Sequence, residues 1–165
     1  MRFNGVALFA SALLVAACGG GESKPADTGA AAAPAVEPAP MVAPAAGTMA
    51  PITGTIHEVK MLLDDKGTYK FEPVSLTAAV GDGVKFVMVS GAPHNVAFDV
   101  ATVPEELKAQ LQANMPNSAG NYDSPMMMTA NESWTVSLGA LKAGKYGIIC
   151  TPHLAMGMKM DLVIQ

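Results

Sequence analysis

Histidine, cysteine and methionine residues are the ones in this chain whose types and spacing could do chemistry. His153 and Met158 follow Cys150 by three and eight residues, so one loop can bring a thiolate, an imidazole and a thioether to one point. His94 lies far upstream and can supply a second imidazole from another segment. A metal ion is the simplest reason for these four side chains to converge.

The donor types select the metal. Two imidazoles, one thiolate and one thioether match the trigonal copper site in which methionine is a weak, long axial ligand. Zinc fits less well, because structural zinc sites use thiolate and imidazole, and catalytic sites keep a position open for water. We therefore expect one copper ion per chain, cycling between Cu(I) and Cu(II). Four protein ligands leave no room for a small-molecule substrate, so the pattern predicts a one-electron carrier and not an enzyme.

Short segments in which apolar and polar residues alternate indicate β-strands around these donors. The apolar members of three such segments are Val74, Leu76, Ala78 and Val80; Trp134, Val136 and Leu138; and Met158, Met160, Leu162 and Ile164. Val84 to Val89 is a nearly continuous apolar strand, and glycine-containing turns separate the runs. This pattern predicts an antiparallel sandwich or barrel. Strand parity points His94 and Cys150 inward, at strand ends.

One segment has helical rather than strand character. Thr102 and Glu105 have the spacing of a capping box, and Pro104 suits a first helical turn. Leu107 and Leu111 lie one helical turn apart. We expect a short surface helix between strands.

Residues 91–99 and 144–158 resemble the two ligand-bearing segments of plastocyanins. The Cys-x2-His-x4-Met spacing is closer to that family than to the longer loops of azurins and auracyanins. The resemblance implies an all-β cupredoxin fold, a Greek-key β-sandwich with a short helix in the insert between Val100 and Asn121. It also implies that His94, Cys150 and His153 are the strong copper ligands, with Met158 as the weak axial one. Asn95 would join the two ligand loops by hydrogen bonds, and redox donors and acceptors would dock near His153.

The N-terminal segment predicts export. Residues 1–17 have a positive start and a short apolar run, which is typical of a secretory signal. The stretch 14–18 resembles a bacterial lipobox, in which Cys18 becomes the lipid-modified first residue; an ordinary signal peptide cut near Cys18 is the alternative. Residues 18–53 are rich in alanine and proline and predict a tether like that of auracyanins, followed by a domain over 54–165. We expect a periplasmic or outer-surface location, with a lipid anchor in a membrane.

Charge and the remaining candidate residues limit the other functions. The net charge is -4 and there is no run of basic residues, so we do not expect the protein to bind nucleic acid. A copper chaperone or storage lipoprotein could use the same ligands, and Met126–Met128 could capture copper, although methionine commonly fills apolar gaps. A thiol enzyme could use Cys150 with a histidine, but the methionine would have no purpose there. Met156 is a second candidate for the axial position, and His57 is interpreted as a surface or core residue.

Overall fold

The structure is a computed structural model that describes residues 47–118 and 120–165. In this part of the chain there are eight strands and one short α-helix, α1 (Lys108–Ala113). The strands are β1 (Ile56–Leu63), β2 (Tyr69–Glu72), β3 (Ser75–Ala78), β4 (Gly83–Met88), β5 (Ala97–Phe98), β6 (Ser133–Ser137), β7 (Gly144–Ile149) and β8 (Lys159–Ile164). The predicted signal segment, Cys18 and the tether up to residue 46 lie outside the described residues. None of the described helices is long and apolar enough to span a membrane.

The strands form two four-stranded sheets. Sheet I has the order β2-β1-β4-β6, and sheet II has the order β3-β8-β7-β5. Buried side chains from both sheets belong to one hydrophobic core, so the predicted all-β sandwich is confirmed. The sandwich is not purely antiparallel, because β1 pairs with β4 and β3 pairs with β8 in parallel. The parallel pairs arise because the chain crosses between sheets, as it does at β3 before it returns to sheet I at β4.

Alternation predicted the core face of the strands well. Met160, Leu162 and Ile164 of β8 are buried, and the residues between them are exposed or partly buried. Trp134 and Val136 face the core from β6 in the same way. The pattern predicted too long a strand around β3, because Val74 and Val80 lie beyond its ends and are 62% and 47% exposed.

The predicted surface helix is present, but the predicted capping box is wrong. The Thr102 hydroxyl donates to the Asp99 carbonyl at 2.7 Å and accepts the Gly147 N–H at 2.8 Å. The hydroxyl therefore joins the insert to β7 instead of binding a free helix N–H. A 3₁₀ helix, Glu105–Leu107, comes first, and α1 begins only at Lys108.

Asn114 holds the end of α1 on the sandwich. Its fully buried amide donates to the carbonyls of Ser137 and Gly139 at 3.0 and 2.8 Å. Its carbonyl oxygen accepts the N–H of Ala50 and the side-chain amide of Gln110, both at 2.9 Å. One side chain thus satisfies backbone groups from the β6 end and from the residues that precede β1.

The residues just before β1 also contact the sandwich. Gln110 donates to the Thr48 carbonyl at 3.1 Å, and Thr53 donates its N–H to the Gly81 carbonyl at 2.8 Å. Residues 48–53 therefore lie against the domain at these points. The division into 1–17, 18–53 and 54–165 stays a prediction.

Replacing Asn114 by alanine should strongly destabilise the fold. The change leaves the N–H of Ala50 and the carbonyls of Ser137 and Gly139 without partners. We expect the free energy of unfolding in urea to fall by about 2–4 kcal/mol, since an unsatisfied buried polar group costs about 1–3 kcal/mol. Glu105→Ala is the control, because the Glu105 side chain is 85% exposed and its loss should change stability by less than about 0.5 kcal/mol. Equal effects of the two changes would contradict this role of Asn114.

Candidate metal centre

Three donors predicted from the sequence come together at one end of the sandwich. His94 lies between β4 and β5, Cys150 follows β7, and His153 lies in the 3₁₀ helix Thr151–Met156. Their ligand atoms are all within 4.8 Å of one another. Cys150 and His94 are fully buried and His153 is 5% exposed. Cys150 directly follows β7 and is buried, as strand parity predicts, whereas His94 is buried in an isolated bridge with Met127, three residues before β5.

The β7–β8 ladder positions the thiol and the predicted axial methionine. Ile149 pairs with Lys159 in antiparallel register, so the next residues out, Cys150 and Met158, also face each other. The Cys150 N–H donates to the Met158 carbonyl at 3.1 Å. Side chains of directly opposed residues leave a ladder on the same side, which places the Met158 side chain beside the Cys150 side chain. Met158 is fully buried, whereas Met156 is 58% exposed.

A compact turn brings His153 between these two residues. The N–H of His153 donates to the Cys150 carbonyl at 3.1 Å, and the N–H of Met158 donates to the His153 carbonyl at 3.2 Å. Gly157 ends the 3₁₀ helix in the left-handed region, at φ 83°, which a side chain would disfavour. The short Cys-x2-His-x4-Met spacing thus corresponds to a six-residue 3₁₀ helix closed by glycine.

The hydrogen bonds of His94 determine which nitrogen can bind a metal. Its Nε2 lies 2.8 Å from the Ser90 carbonyl oxygen, which can only accept, so Nε2 carries the proton in this bond. Nδ1 then has a free lone pair, and it lies 3.6 Å from the Cys150 sulfur. Such an outer hydrogen bond orients a ligating imidazole and raises its basicity. Backbone bonds of 3.0 and 2.8 Å to Met127 hold the His94 main chain from the other side.

Burial sets the protonation of the donors when no cation is present. Burial lowers the pKa of His94 and of His153 below the usual value of 6.5, so both imidazoles are neutral near neutral pH. Burial raises the pKa of the Cys150 thiol above its usual value of 9.0, and hydrogen bonds from the backbone of Asn95 and His153 offset part of this effect. Neutral imidazoles are ready to bind, but the thiol must exchange its proton for a metal ion.

Asn95 joins the two ligand segments, as the resemblance implies. Its Oδ1 accepts the N–H of Thr151 at 2.8 Å, and its Nδ2 donates to the Thr151 hydroxyl at 3.1 Å. Asn95 follows His94 and Thr151 follows Cys150, so this pair of bonds fixes the two donors relative to each other. Asn95 is only 1% exposed, and water does not compete freely for these bonds.

Sequence reasoning missed Tyr69, which lies at the start of β2. Its ring stacks on the His153 imidazole with ring centroids 3.7 Å apart and an interplanar angle of 12°. The loop that contains Gly91 can approach Leu63 and Tyr69 this closely only because residue 91 has no side chain. A Cβ there would lie 2.6 Å from the Leu63 Cβ and 3.0 Å from Tyr69 Cε1. A tyrosine in an ordinary strand pattern carries no signal for this contact, which depends on how β2 packs beside the ligand loop.

The other candidate residues lie apart from this cluster. The His57 Nε2 is 2.8 Å from an Asp82 carboxylate oxygen, at the start of β1 and away from the three donors. Cys18 is outside the described residues. Of the cysteines in the described part of the chain, Cys150 is a buried free thiol.

The donor set fits copper. The Cys150 sulfur is 3.6 Å from His94 Nδ1 and 3.4 Å from His153 Nδ1. Two atoms bound to one metal ion at about 2.0–2.3 Å are expected to lie about 3.5 Å apart, so the sulfur is already spaced to share one ion with each imidazole. One thiolate and two imidazoles in a buried, water-poor site are the strong ligands of a blue copper centre.

Comparisons with known proteins agree with this chemistry. The profile of the family described as "Copper binding proteins, plastocyanin/azurin family" matches residues 57–165. Plastocyanin of Ulva pertusa is 32% identical over 108 residues, which cover 66% of this chain and 99% of that protein. Plastocyanin of Daucus carota is 35% identical over 107 residues, covering 65% and 98% of the two chains.

A solved structure extends the similarity to the fold. The oxidized form of plastocyanin from Dryopteris crassirhizoma superposes with a TM-score of 0.53 at 28% identity, over 66% of this chain and 99% of that one. The cupredoxin fold expected from the ligand segments is confirmed by this match. The chain therefore belongs to the plastocyanin/azurin family of copper-binding proteins, and it is a copper electron-transfer protein rather than an enzyme.

Proposed function

We propose that His94, Cys150 and His153 hold one copper ion with Met158 as the weak axial donor, and that the chain carries single electrons between redox proteins at a membrane face. The observation that carries the proposal is the convergence of the buried Cys150 sulfur with the Nδ1 atoms of both histidines. Copper supplies reversible one-electron exchange between Cu(I) and Cu(II). Copper electron carriage follows from the family, whereas the ligand roles and the place of action are our proposal.

The protein contributes to this exchange by restricting the motion of the donor side chains and by excluding water from them. The β7–β8 ladder, the Asn95–Thr151 bonds and the His94–Met127 bonds hold each ligand segment by its backbone. The stack of Tyr69 on His153 restricts rotation of the imidazole. Restricted donors cannot rearrange much between the two charge states, so little reorganisation opposes electron transfer. Met158 is favoured over Met156 as the axial donor because only Met158 is buried beside Cys150.

The surface around His153 suits brief contacts with redox partners. Leu154 and Met156 are 47% and 58% exposed and flank the imidazole along the ligand loop. Pro93 lies on the facing loop and is partly exposed. Transient redox encounters use small interfaces, and an uncharged rim can be desolvated on docking at low cost. We propose that partners dock on this patch and exchange electrons through His153.

The proposed place of action rests on the N-terminal sequence. A secretory signal and a lipobox-like stretch ending at Cys18 would export the chain and attach it to a membrane by lipid. The tether would let the domain reach partners while it stays near the membrane face. A free, exported domain with no anchor is the competing arrangement.

Cys150→Ser should abolish the intense visible band of the copper-loaded, oxidised protein. The band arises from charge transfer between thiolate sulfur and copper, and serine cannot supply that donor. Absorption and electron paramagnetic resonance spectra measure the loss. A variant that stays intensely blue would sink the proposed ligand set.

Met158→Leu tests the axial position and is compared with Cys150→Ser by absorption spectra and by the reduction potential. It keeps the thiolate, so the blue band should remain, while the reduction potential rises because the weak donor to Cu(II) is lost. An unchanged potential would remove Met158 from the ligand set.

Leu154→Glu should slow electron transfer to the native partner without altering the visible band. The new carboxylate must lose water when the patch is covered, which penalises docking. Val80→Glu is the control, because Val80 is equally exposed, at 47%, and its N–H bonds Gln165 beyond the far end of β8. Stopped-flow rates with the isolated partner provide the measurement. Equal rates for both variants would place docking elsewhere.

Cys18→Ser should release the domain from membranes and leave its spectrum unchanged. The substitution removes the atom that would carry the lipid, far in sequence from the copper ligands. Membrane fractionation followed by absorption spectra tests both parts. Equal membrane retention of the variant and the unmodified chain would contradict a lipid anchor at this residue.

A further inference from the structure

Two exposed methionines lie beside the copper end of the sandwich. Met126 and Met128 are 49% and 61% exposed, whereas Met127 between them is 5% exposed. Because side chains alternate along an extended segment, the two exposed thioethers leave the chain on one face and Met127 leaves it on the other. Core packing explains Met127, and the proposed electron-transfer site uses neither neighbour.

The backbone of this segment is fixed on both sides of the pair. Met127 exchanges both of its backbone hydrogen bonds with His94, at 3.0 and 2.8 Å. The Glu132 carboxylate accepts the N–H groups of Met128 and Thr129 at 2.5 and 3.1 Å. The exposure of the two thioethers is therefore set by the paired backbone and not by a loose loop.

The same pairing places the methionines next to the ligand segments. His94 and Met127 pair in antiparallel register, so Asn95, which follows His94, lies opposite Met126, which precedes Met127. Met126 is therefore on the face where the Asn95 amide binds Thr151. By the same register, Pro93, which precedes His94, lies opposite Met128. The pair thus lies over the segments that carry the first two copper ligands, outside the closed donor set.

We infer that Met126 and Met128 form a second, exchangeable Cu(I) site at the surface, through which the buried site is supplied with metal. Thioether sulfur is a soft donor that selects Cu(I) over harder ions. Oε2 of the nearby Glu132 carboxylate already accepts two backbone N–H groups, and the donors that we assign to the site are the two thioether sulfurs. The ion binds and leaves as Cu(I), and no electron is exchanged. The inference goes beyond electron carriage and rests only on copper being the chain's metal.

The reduced, copper-loaded protein with labelled methionine methyl carbons allows a direct test. Further Cu(I) is added without oxygen, and the buried site is already filled with the same ion. The methyl signals of Met126 and Met128 should shift together and saturate. Met126→Leu should weaken this binding by at least about tenfold, since a lone thioether loses the benefit of a linked second donor.

Leucine is a suitable replacement because it keeps apolar area and removes only sulfur. Met49→Leu is the matched control, because Met49 is 57% exposed and its neighbours Thr48 and Ala50 bond to α1 and Asn114 at the other end of the sandwich. Its methyl signal should not move with those of the pair, and its loss should leave binding unchanged. Signals of all three methionines that shift alike, or signals that do not shift, would overturn the inference.

Uptake kinetics provide a second measurement. Metal-free protein with both Met126→Leu and Met128→Leu should acquire Cu(I) from a weak chelator several times more slowly than the Met49→Leu variant. After oxidation, the double variant should still develop the full blue band, since its buried donors are unchanged. Uptake at the control rate would overturn the supply role. A missing blue band in every variant would instead count against the proposed ligands of the buried site.

Discussion

The antiparallel register between β7 and β8 is the constraint on which the site depends. It opposes Cys150 and Met158 across the ladder, joined by a 3.1 Å hydrogen bond, and directs both side chains inward. The turn that connects them has room for one 3₁₀ helix, which brings His153 to the same point. A slip of one residue would send the thiol to the outer face of sheet II, because side chains alternate along a strand. The core alternation of Tyr146 and Ile148 on β7 prevents that slip.

Much of this arrangement could be predicted because it is local in sequence. Three of the proposed ligands lie within one short loop, and strand parity identified the inward face of β7, which Cys150 continues. The length and capping of the elements were less predictable. Thr102 has the spacing of a helix cap, yet its hydroxyl binds Asp99 and Gly147, because β7 offers a partner that only the folded chain brings near. Tertiary contacts decided between two uses of one side chain.

The contacts that sequence reasoning missed all join segments far apart in the chain. Tyr69 reaches His153 from β2, and Asn114 joins α1 to residues before β1 and after β6. Neither residue belongs to a motif of fixed spacing, so the sequence carries no signal that names its partner. Their partners are set by tertiary packing: β2 packs beside the ligand loop at Tyr69, and the end of α1 packs against the residues that follow β6 at Asn114. The donors could thus be found from residue types and Asn95 from the family resemblance, whereas the distant contacts of Tyr69 and Asn114 could not.

The closed site that suits electron transfer creates a difficulty for metal binding. Cys150, His94 and Met158 are fully buried, and Tyr69 covers one face of His153, the donor nearest the solvent. The buried thiol keeps its proton until a cation replaces it, so an arriving ion meets a neutral, enclosed set of donors. Rigid ligands favour electron exchange because they rearrange little, but the same rigidity slows the opening of the ligand segments that metal uptake requires. A weak, exposed donor pair on the rim relieves this conflict, because it holds an ion beside the ligand segments while they open. Met126 and Met128 then bind copper exchangeably, and the buried donors bind it permanently, within one small domain.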